Sequence, residues 1–520
     1  MESKDFVFGK GILFRLTTGL YKNEFVLYRE YVQNAADSID AAIECGLMDE
    51  RDAQISITVD REKRRIVIRD NAMGIPSKDV KRMLCNVGNS VKDSRKHKGF
   101  MGIGRLGGLG YCDKMVFETT SKGDSEVNII SWNASSLRKL IDNKTGDDDA
   151  VSVLVQVTKH TTRKCNELDH YFQVTLEGIS ETSDELLDEE AVKQYLRMVA
   201  PVGFNYSAFL HKKKIADFVQ AHRKEIPSLC SYNVFVNNDP ILKGYAHTLC
   251  YNGKEVKVED VHCDLLKQNG VVIGWYWIGC TTLEFALTKG FWQSGIRLRR
   301  GNIQIGERET LKQLWPENGR GNNYYIGEVH ITDPEILPTA QRDYFVTNVA
   351  CRRMEKCLRT LFDSLWKMCR AASDNNSIVR QINAQTKIIT DFNAKESGKN
   401  GGFSNQNEEK RQHAKAEQAQ KAIQKLRCQL EEKQKKQLGK SDSSVAKVIL
   451  KTVYSHQQEP PKKTVTVARP AQKEYLDDQL SDEGQQIMVI VQKVLKARIP
   501  DEEECTVILN EIRAQVKKIS

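Results

Sequence analysis

Three stretches near the start of the chain carry residue types suited to binding chemistry. Glu30, Asn34 and Asp37 stand at i, i+4 and i+7, so a helix would set two carboxylates and a carboxamide on one face. Asp70 opens the run Asp70-Asn71-Ala72-Met73-Gly74-Ile75-Pro76. A carboxylate followed by a glycine turn can point into a cleft and accept a hydrogen bond from a ligand amine. It can equally cap its own turn. The third stretch, Gly99 to Gly110, is half glycine, which lets backbone N–H groups approach an anion and lets the segment swing as a lid. It lacks the Gly-Lys-Ser/Thr ending of a P-loop, and no strand-to-helix dinucleotide unit surrounds it.

The elements around these residues follow from periodicity. Tyr28, Val32, Ala35, Ile39 and Ile43 recur at helical spacing, which predicts one amphipathic helix over 21–43, with Gly46 as its left-handed stop. The opposite face, taken alone, reads as an ordinary solvated surface. Ile55, Ile57 and Val59 alternate with polar residues, and Ile66 to Ile68 form a β-branched run. Arg61 to Arg64 between them reads as a hairpin turn, and the second run ends at Asp70. Phe6 to Leu20 reads as an edge strand or a packing arm. Asn86, Gly88 and Ser90 lead through a basic segment into the glycine-rich stretch. Lys114 to Thr120, Glu126 to Trp132 and Val151 to Thr158 read as further strands. The expected product is a helix layer on a mixed, mostly antiparallel sheet.

Composition sets the frame. A chain of 520 residues is too long for one core. Hydrophobic content of 40% and charged content of 28% are ordinary for a globular protein. No apolar run approaches bilayer length and residues 1–20 lack the form of a signal peptide, so a cytoplasmic protein without a membrane partner is expected. Thirteen scattered cysteines with no C-x-x-C pair read as reduced structural thiols. A net charge of +9 permits nucleic-acid contact without arguing for it.

The order Glu30-x-x-x-Asn34, then Asp70-x-x-x-Gly74, then the glycine lid resembles the Bergerat nucleotide fold of gyrase, heat-shock chaperones, histidine kinases and MutL. The segment from Tyr21 to Asp37 is most similar to the first nucleotide motif of the heat shock protein 90 family. Ile103-Gly104-Arg105-Leu106-Gly107 resembles that family's lid-end motif. The resemblance implies an ATP site. Glu30 matches the base that orients and deprotonates the attacking water, and Asn34 the Mg2+ ligand that bridges to the phosphates. Asp70 matches the acceptor of the adenine amino group, and Gly74 the place where backbone passes close to the base. Gly104 and Gly107 match phosphate-contacting positions. Asp37, Met73, Asn86 and Gly102 belong to the same implied nucleotide-binding set. The family's late Gly-Thr pair stands here as Val151-Ser152, which makes Ser152 the matching ligand. A further departure is Ala72, where the family has its first glycine.

The second domain reads as alternating helix and strand. Glu189 to Met198 is helical, Ser231 to Val236 extended, and Gly270 to Ile278 a buried strand whose aromatics belong to a core. Gly295 to Gly306 alternates apolar and basic residues. Arg297, Arg299 and Arg300 there form either a phosphate or nucleic-acid contact or a solvated edge. Tyr325 to Ile331 is another strand. Leu337 to Phe345 is similar to the middle-domain turn of the same family, in which an arginine reaches the γ-phosphate. Arg342 is the matching residue, with an ion pair to Asp343 or a neighbour as the plain alternative. The family's helper glutamine is Val346 here.

Beyond residue 350 the resemblance fades. Phe345 to Ala372 reads as a closing helix and Glu408 to Leu438 as a charged helix whose short apolar seam needs a partner helix or a second copy. The chain ends in two helices that pack on the body or dimerise. The expected organisation is an α+β protein: an ATP-binding α/β sandwich over 1–185, an α/β middle domain over 186–375, a linker over 376–407, a charged helix over 408–440, a linker over 441–480 and a helical hairpin over 481–520. The function implied is an ATP-dependent, Mg2+-using, homodimeric chaperone acting on non-native or specific client proteins. A nucleic-acid-associated or defence-system clamp ATPase of the same superfamily is the alternative.

Overall fold

The structure, a computed structural model, describes residues 13, 23–85, 104–143, 149–287, 290–397, 402–439, 444–457, 466–468, 475–499 and 501–519. Of the arm expected at Phe6 to Leu20, Leu13 alone falls within them. Asn86, Gly102 and the first part of the expected lid lie outside them. The chain forms two compact units, Met1–Thr281 with Phe285–Trp366, and Thr282–Glu284 with Lys367–Ser520.

In the first unit, helix α1 runs over Val26–Glu44. Its Tyr28, Val32, Ala35 and Ile39 are buried in one core with Ile55, Ile57, Ile66 and Ile68. Burying one such aliphatic side chain stabilises by about 1.5–3 kcal/mol, so the stripe fixes which face of the helix meets the sheet. Gly46 takes φ +72° and the Leu47 N–H donates to the Ala42 carbonyl, the left-handed stop expected from sequence.

Strands β1, Gln54–Asp60, and β2, Arg65–Asp70, form the expected hairpin. β3, Lys114–Thr120, and β4, Glu126–Asn133, follow as read. The strand expected over Val151 to Thr158 is instead a helix, Ala150–Val157, followed by β5, Thr158–Lys164. The cause is local. Asp149 caps the helix by accepting from the Ser152 N–H at 2.9 Å, and Val153 and Val157, one turn apart, are its buried pair. β6, Tyr171–Glu177, went unread in the sequence. It lies between β2 and β3, antiparallel to both.

β7, Asn233–Val236, pairs parallel with β1, and β8, Asp239–Ile241, closes that edge. The sheet order is β5-β4-β3-β6-β2-β1-β7-β8. Residues 233–241, counted with the second domain in sequence, therefore complete the first sheet. β9, Thr248–Tyr251, and β10, Lys254–Lys257, form a separate hairpin. A second sheet holds β11, Asp260–Gln268, β12, Val271–Cys280, β13, Gly295–Arg300, β14, Ile303–Gln304, and β15, Ile326–Ile331, in the order β11-β12-β15-β13-β14. Trp275 and Trp277 are core residues of this domain, as expected.

The three arginines of β13 do not form a cationic surface. Arg297 and Arg299 are buried, and Arg300 is half-buried. Arg299 Nε lies 2.5 Å from Glu328 Oε1, and its guanidinium also donates to the carbonyls of Met198 and Asn302. Arg297 donates to Gln304 Oε1 at 2.9 Å and to the Trp292 carbonyl at 2.6 Å. Arg300 donates to the Asp333 and Ile336 carbonyls. The reason is the neighbouring strand: β15 brings Glu328 and His330 alongside β13, so the alternation on one strand meets its complement on the other.

The second unit is helical. The helix Val349–Glu396 contributes its residues from Lys367 onward, so the linker expected at 376–407 is helical through Glu396. The charged helix runs over Gln406–Gly439. Its Ala416, Ala419, Ile423 and Leu430 share a core with Ile378, Ile382, Ile389 and Phe392, so the seam's partner is supplied by the chain itself. A helix over Ser444–Gln457 stands within the linker expected at 441–480. The terminal hairpin joins Asp482–Arg498 and Glu502–Ile519 around Leu480, Met488, Cys505 and Leu509. Ile487, Ile490, Val494 and Val507 stay exposed.

Candidate active site

α1 sets its polar residues where the sequence spacing put them. Glu30 and Asp37 are buried, at 6% and 4% exposure, while Asn34 between them is half-buried. Two guanidinium groups flank the Glu30 carboxylate. Arg29 Nη2 lies 3.3 Å from Oε1, and Arg342 Nε lies 3.8 Å from Oε2. Arg342 Nη1 also donates to Gln33 Oε1. Asp343 is engaged elsewhere, accepting from Thr339 Oγ1 at 2.6 Å, so the ionic neighbour of Arg342 is Glu30 rather than its own chain neighbour.

A tight turn delivers Arg342. Thr339 N–H donates to the Tyr344 carbonyl, and Val346 N–H to that of Leu337. Within the turn Arg342 takes φ +51°, a left-handed conformation that costs an arginine about 1–3 kcal/mol. Its backbone is held there on both sides. Its N–H donates to the Thr339 carbonyl at 3.1 Å and its own carbonyl accepts from Gly306 N–H at 2.6 Å. Arg29 Nη2 adds a bond to the Gln341 carbonyl at 3.1 Å. The turn is thus fastened to α1 through three residues within about one helical turn, Arg29, Glu30 and Gln33.

Asp70 ends β2 and is buried. One of its oxygens accepts from the Ala72 N–H at 3.1 Å, the turn-capping role weighed in sequence. A carboxylate has further lone pairs on its second oxygen, so capping and ligand recognition are compatible. Gly74 takes φ +63°, and a Cβ there would lie 1.9 Å from the Thr120 carbonyl oxygen. The glycine is required by the close approach of this turn to β3. Met73 beside it is half-buried.

Of the glycine-rich stretch, Gly104–Gly110 forms a 3-10 helix packed on α1. Tyr31 Oη donates to the Arg105 carbonyl at 2.9 Å, and Leu106 and Leu109 are buried in the core. This end is anchored. Gly107 is buried within the anchored turn and Gly104 is half-buried at its start. Ser152 is exposed on the helix Ala150–Val157, with its Oγ donating to Asp149 Oδ2 at 2.9 Å.

Sequence reasoning did not single out Gln33, Thr119 or His170. Thr119 Oγ1 accepts from the Ile75 N–H at 2.8 Å and donates to the Tyr171 carbonyl at 2.9 Å, which ties the Asp70 turn to β3 and β6. His170 Nδ1 lies 2.8 Å from the Ala72 carbonyl oxygen, so the residue leading into β6 borders this turn. The available signal was the alternation that begins at Tyr171. For Gln33 it was the i, i+3 spacing from Glu30.

A magnesium ion fits the donor chemistry of α1. Asn34 is half-buried one helical turn from the buried Glu30, and its amide oxygen is a hard donor suited to a cation that takes its other ligands from phosphate and water. Among the described residues no cluster of three or more His, Cys, Asp or Glu makes an all-protein metal cage.

Residues 24–162 match the sequence family described as histidine kinase-, DNA gyrase B-, and HSP90-like ATPase. This stretch is therefore a domain of that ATPase type, and it contains α1 and the Asp70 turn. The chain is also similar to the chaperone protein HtpG of several bacteria. It is 28% identical to that of Streptomyces coelicolor over 127 residues, which is 21% of this chain and 20% of the relative. It is 26% identical to that of a Sulfurovum species over 203 residues, 37% of this chain and 31% of the relative. For Wigglesworthia glossinidia brevipalpis the figures are 24% over 272 residues, 46% and 41%. The chain spans less than half the length of each of these relatives. Among the described residues no helix is long and apolar enough to cross a membrane.

Proposed function

We propose that the protein is an ATP-driven conformational switch of the heat shock protein 90 type, acting as a chaperone on client proteins. The observation that carries this reading is the meeting of Arg342 with Glu30: a turn beyond the second sheet brings a guanidinium to the carboxylate of the first helix. Positioning and charge neutralisation are what phosphoryl transfer to water requires of a protein.

In this reading Glu30 orients the attacking water and takes its proton. Asn34 holds Mg2+, which when bound neutralises phosphate charge. Asp70 accepts from the adenine amino group, with Met73 and Gly74 against the base and Asp37 supporting the same face. Gly104 and Gly107 contact the phosphates and Ser152 is a proposed further ligand, while Asn86 and Gly102 of the implied set lie outside the described residues. Arg342 suits the γ-phosphate because a guanidinium is planar, always charged and able to bind two oxygens at once. Nucleotide binding and hydrolysis drive the conformational change. The protein works as a homodimer in the cytoplasm. The exposed stripe of Ile487, Ile490 and Val494 on the terminal hairpin supports self-association.

The test is the Glu30→Ala protein. It should bind ATP, hydrolyse it at least 100-fold more slowly, and retain whatever it acts on. Material recovered with it from its own cell extract is compared with and without nuclease. A broad set of proteins indifferent to nuclease supports the chaperone reading. Undiminished hydrolysis refutes the base, and a partner lost on nuclease treatment replaces the client protein with a nucleic acid.

A further inference from the structure

Gln33 is fully buried on α1, with 0% exposure. Its Oε1 accepts from Arg342 Nη1, and its Nε2 has no hydrogen-bond partner among the described residues. A buried amide donor left open is costly, so its persistence at such a position calls for a partner that arrives later. The neighbourhood says what kind of partner. Gln33 follows Glu30 by three residues and so shares its face, and Arg342 touches both side chains. An open N–H on a side chain whose other end holds an arginine, one turn along the helix from a carboxylate base, suits an anionic oxygen. On the turn itself, the residue four positions past Arg342 is Val346, which is 44% exposed and has no polar group with which to hold the guanidinium.

We propose that Gln33 is the positioning residue for Arg342, and that its open Nε2–H is the donor that meets a terminal phosphate oxygen of the bound nucleotide. The first half rests on the contacts of the chain alone. The second rests on the reading of the site as an ATPase. One carboxamide then links the two: it accepts from the arginine at one end and donates to the phosphate at the other, so the arginine is held in register with the third phosphate. A diphosphate leaves the donor open, and the site prefers ATP to ADP for that reason.

The experiment compares the full-length protein with Gln33→Leu, Gln33→Glu, Arg342→Ala and the Gln33→Leu/Arg342→Ala double variant. Two readouts are taken: amide hydrogen exchange over residues 306 and 339–346 without nucleotide, and the ratio of ATP to ADP affinity together with kcat and KM. Gln33→Leu should raise exchange in the turn about tenfold and lower kcat about tenfold. It should cut the ATP preference about fivefold while ADP affinity stays within twofold. Added to Arg342→Ala it should change turn exchange by less than twofold, because the contact is already gone. Gln33→Glu keeps the acceptor and loses the donor, so the turn should stay protected while the ATP preference falls. The positioning role is overturned if Gln33→Leu leaves turn exchange within twofold, or if its effect adds in full to that of Arg342→Ala. The phosphate contact is overturned if Gln33→Glu keeps the parent's ATP preference, or if the parent binds no nucleotide. A parent that binds ATP without hydrolysing it, with the turn still loosened by Gln33→Leu, would refute the ATPase reading and leave the positioning of Arg342 standing.

Discussion

Arg342 Nε lies 3.8 Å from Glu30 Oε2, although the two residues come from opposite ends of the first unit's chain. The pair is buried on both sides, so it is shielded from the solvent screening that makes most surface ion pairs worth little. A cation beside the proposed base also has a cost in the fold, since Arg342 adopts a left-handed backbone to reach it. Strain of this kind persists where the surrounding contacts over-determine it, and here the Gly306 N–H and the Thr339 carbonyl do so.

Replacing Arg342 by alanine should lower ATP turnover by at least about 100-fold while leaving nucleotide affinity within a few-fold, because in the proposed role the guanidinium acts mainly on charge that develops in the transition state. Arg342→Lys should recover little of it. A lysine offers one compact charge and cannot bond the Gln33 oxygen and a phosphate with separate nitrogens of one plane. Steady-state phosphate release with separate measurement of ATP binding checks both. Turnover within threefold of the parent in Arg342→Ala would remove this residue from the mechanism.

Asp70→Asn separates two roles of one side chain. The asparagine oxygen can still accept from the Ala72 N–H, so the turn should survive and the thermal midpoint should move by only a few degrees. The charge-assisted acceptor proposed for an adenine amino group is lost. A hydrogen bond to a charged group contributes about 1.5–3 kcal/mol, which corresponds to roughly 10–100-fold in affinity. Calorimetric titration with ATP and with a nucleotide lacking the amino group reads this directly. Equal losses for the two nucleotides would show that Asp70 caps its turn and does nothing more.

Gly74→Ala should act on the fold before it acts on the site. A methyl at this position would meet the Thr120 carbonyl oxygen at 1.9 Å with the backbone at φ +63°, and the obstacle is a strand, which cannot step aside as a flexible side chain would. Destabilisation of about 3 kcal/mol or more is expected, at the upper end of single-residue effects. Urea unfolding measures it. A variant as stable as the parent but weak in nucleotide binding would shift the glycine's role from the β3 contact to the base.

Legibility in the sequence followed the range of the forces involved. The stripe on α1, the left-handed stop at Gly46 and the ends of β3 depend on neighbours a few residues away, and each was readable. Residues 150–157 misled because valine favours strands, whereas the deciding interaction is Ser152 donating to Asp149 through both its N–H and its Oγ. β6 escaped although Phe172, Val174 and Leu176 alternate with polar residues, because its place between β2 and β3 is set by non-local pairing. The arginines of β13 read as surface charges until β15 placed Glu328 beside them, a pairing that no local pattern specifies. Arg342 was recognised through a resemblance of its turn, but its hold on Gln33 is a tertiary contact that the sequence leaves silent.

The buried charges of the second sheet domain give the fold a dependence on pH. Glu328 is fully buried between Lys243 Nζ at 2.7 Å, Arg299 Nε at 2.5 Å and His330 Nε2 at 3.0 Å, and Trp277 Nε1 donates to it at 3.1 Å. The His330 ring is stacked on Trp275 with centroids 4.2 Å apart. Burial opposes a second mobile charge here and pushes His330 down to about 4, against an ordinary value of 6.5. Between those two values the unfolded chain binds a proton that the folded chain refuses, so stability rises with pH across the window. The contribution is complete above about 6.5 and is lost as pH falls toward 4. Glu328, held well below its usual range by the cations around it, loses its own contribution only in stronger acid. The thermal midpoint of the parent should therefore drop between pH 6.5 and 4.5. His330→Gln, although less stable at every pH for want of the Trp275 stack, should show a distinctly shallower slope across that interval. Parallel slopes for the two proteins would assign the acid sensitivity to other groups and leave His330 as a packing residue alone.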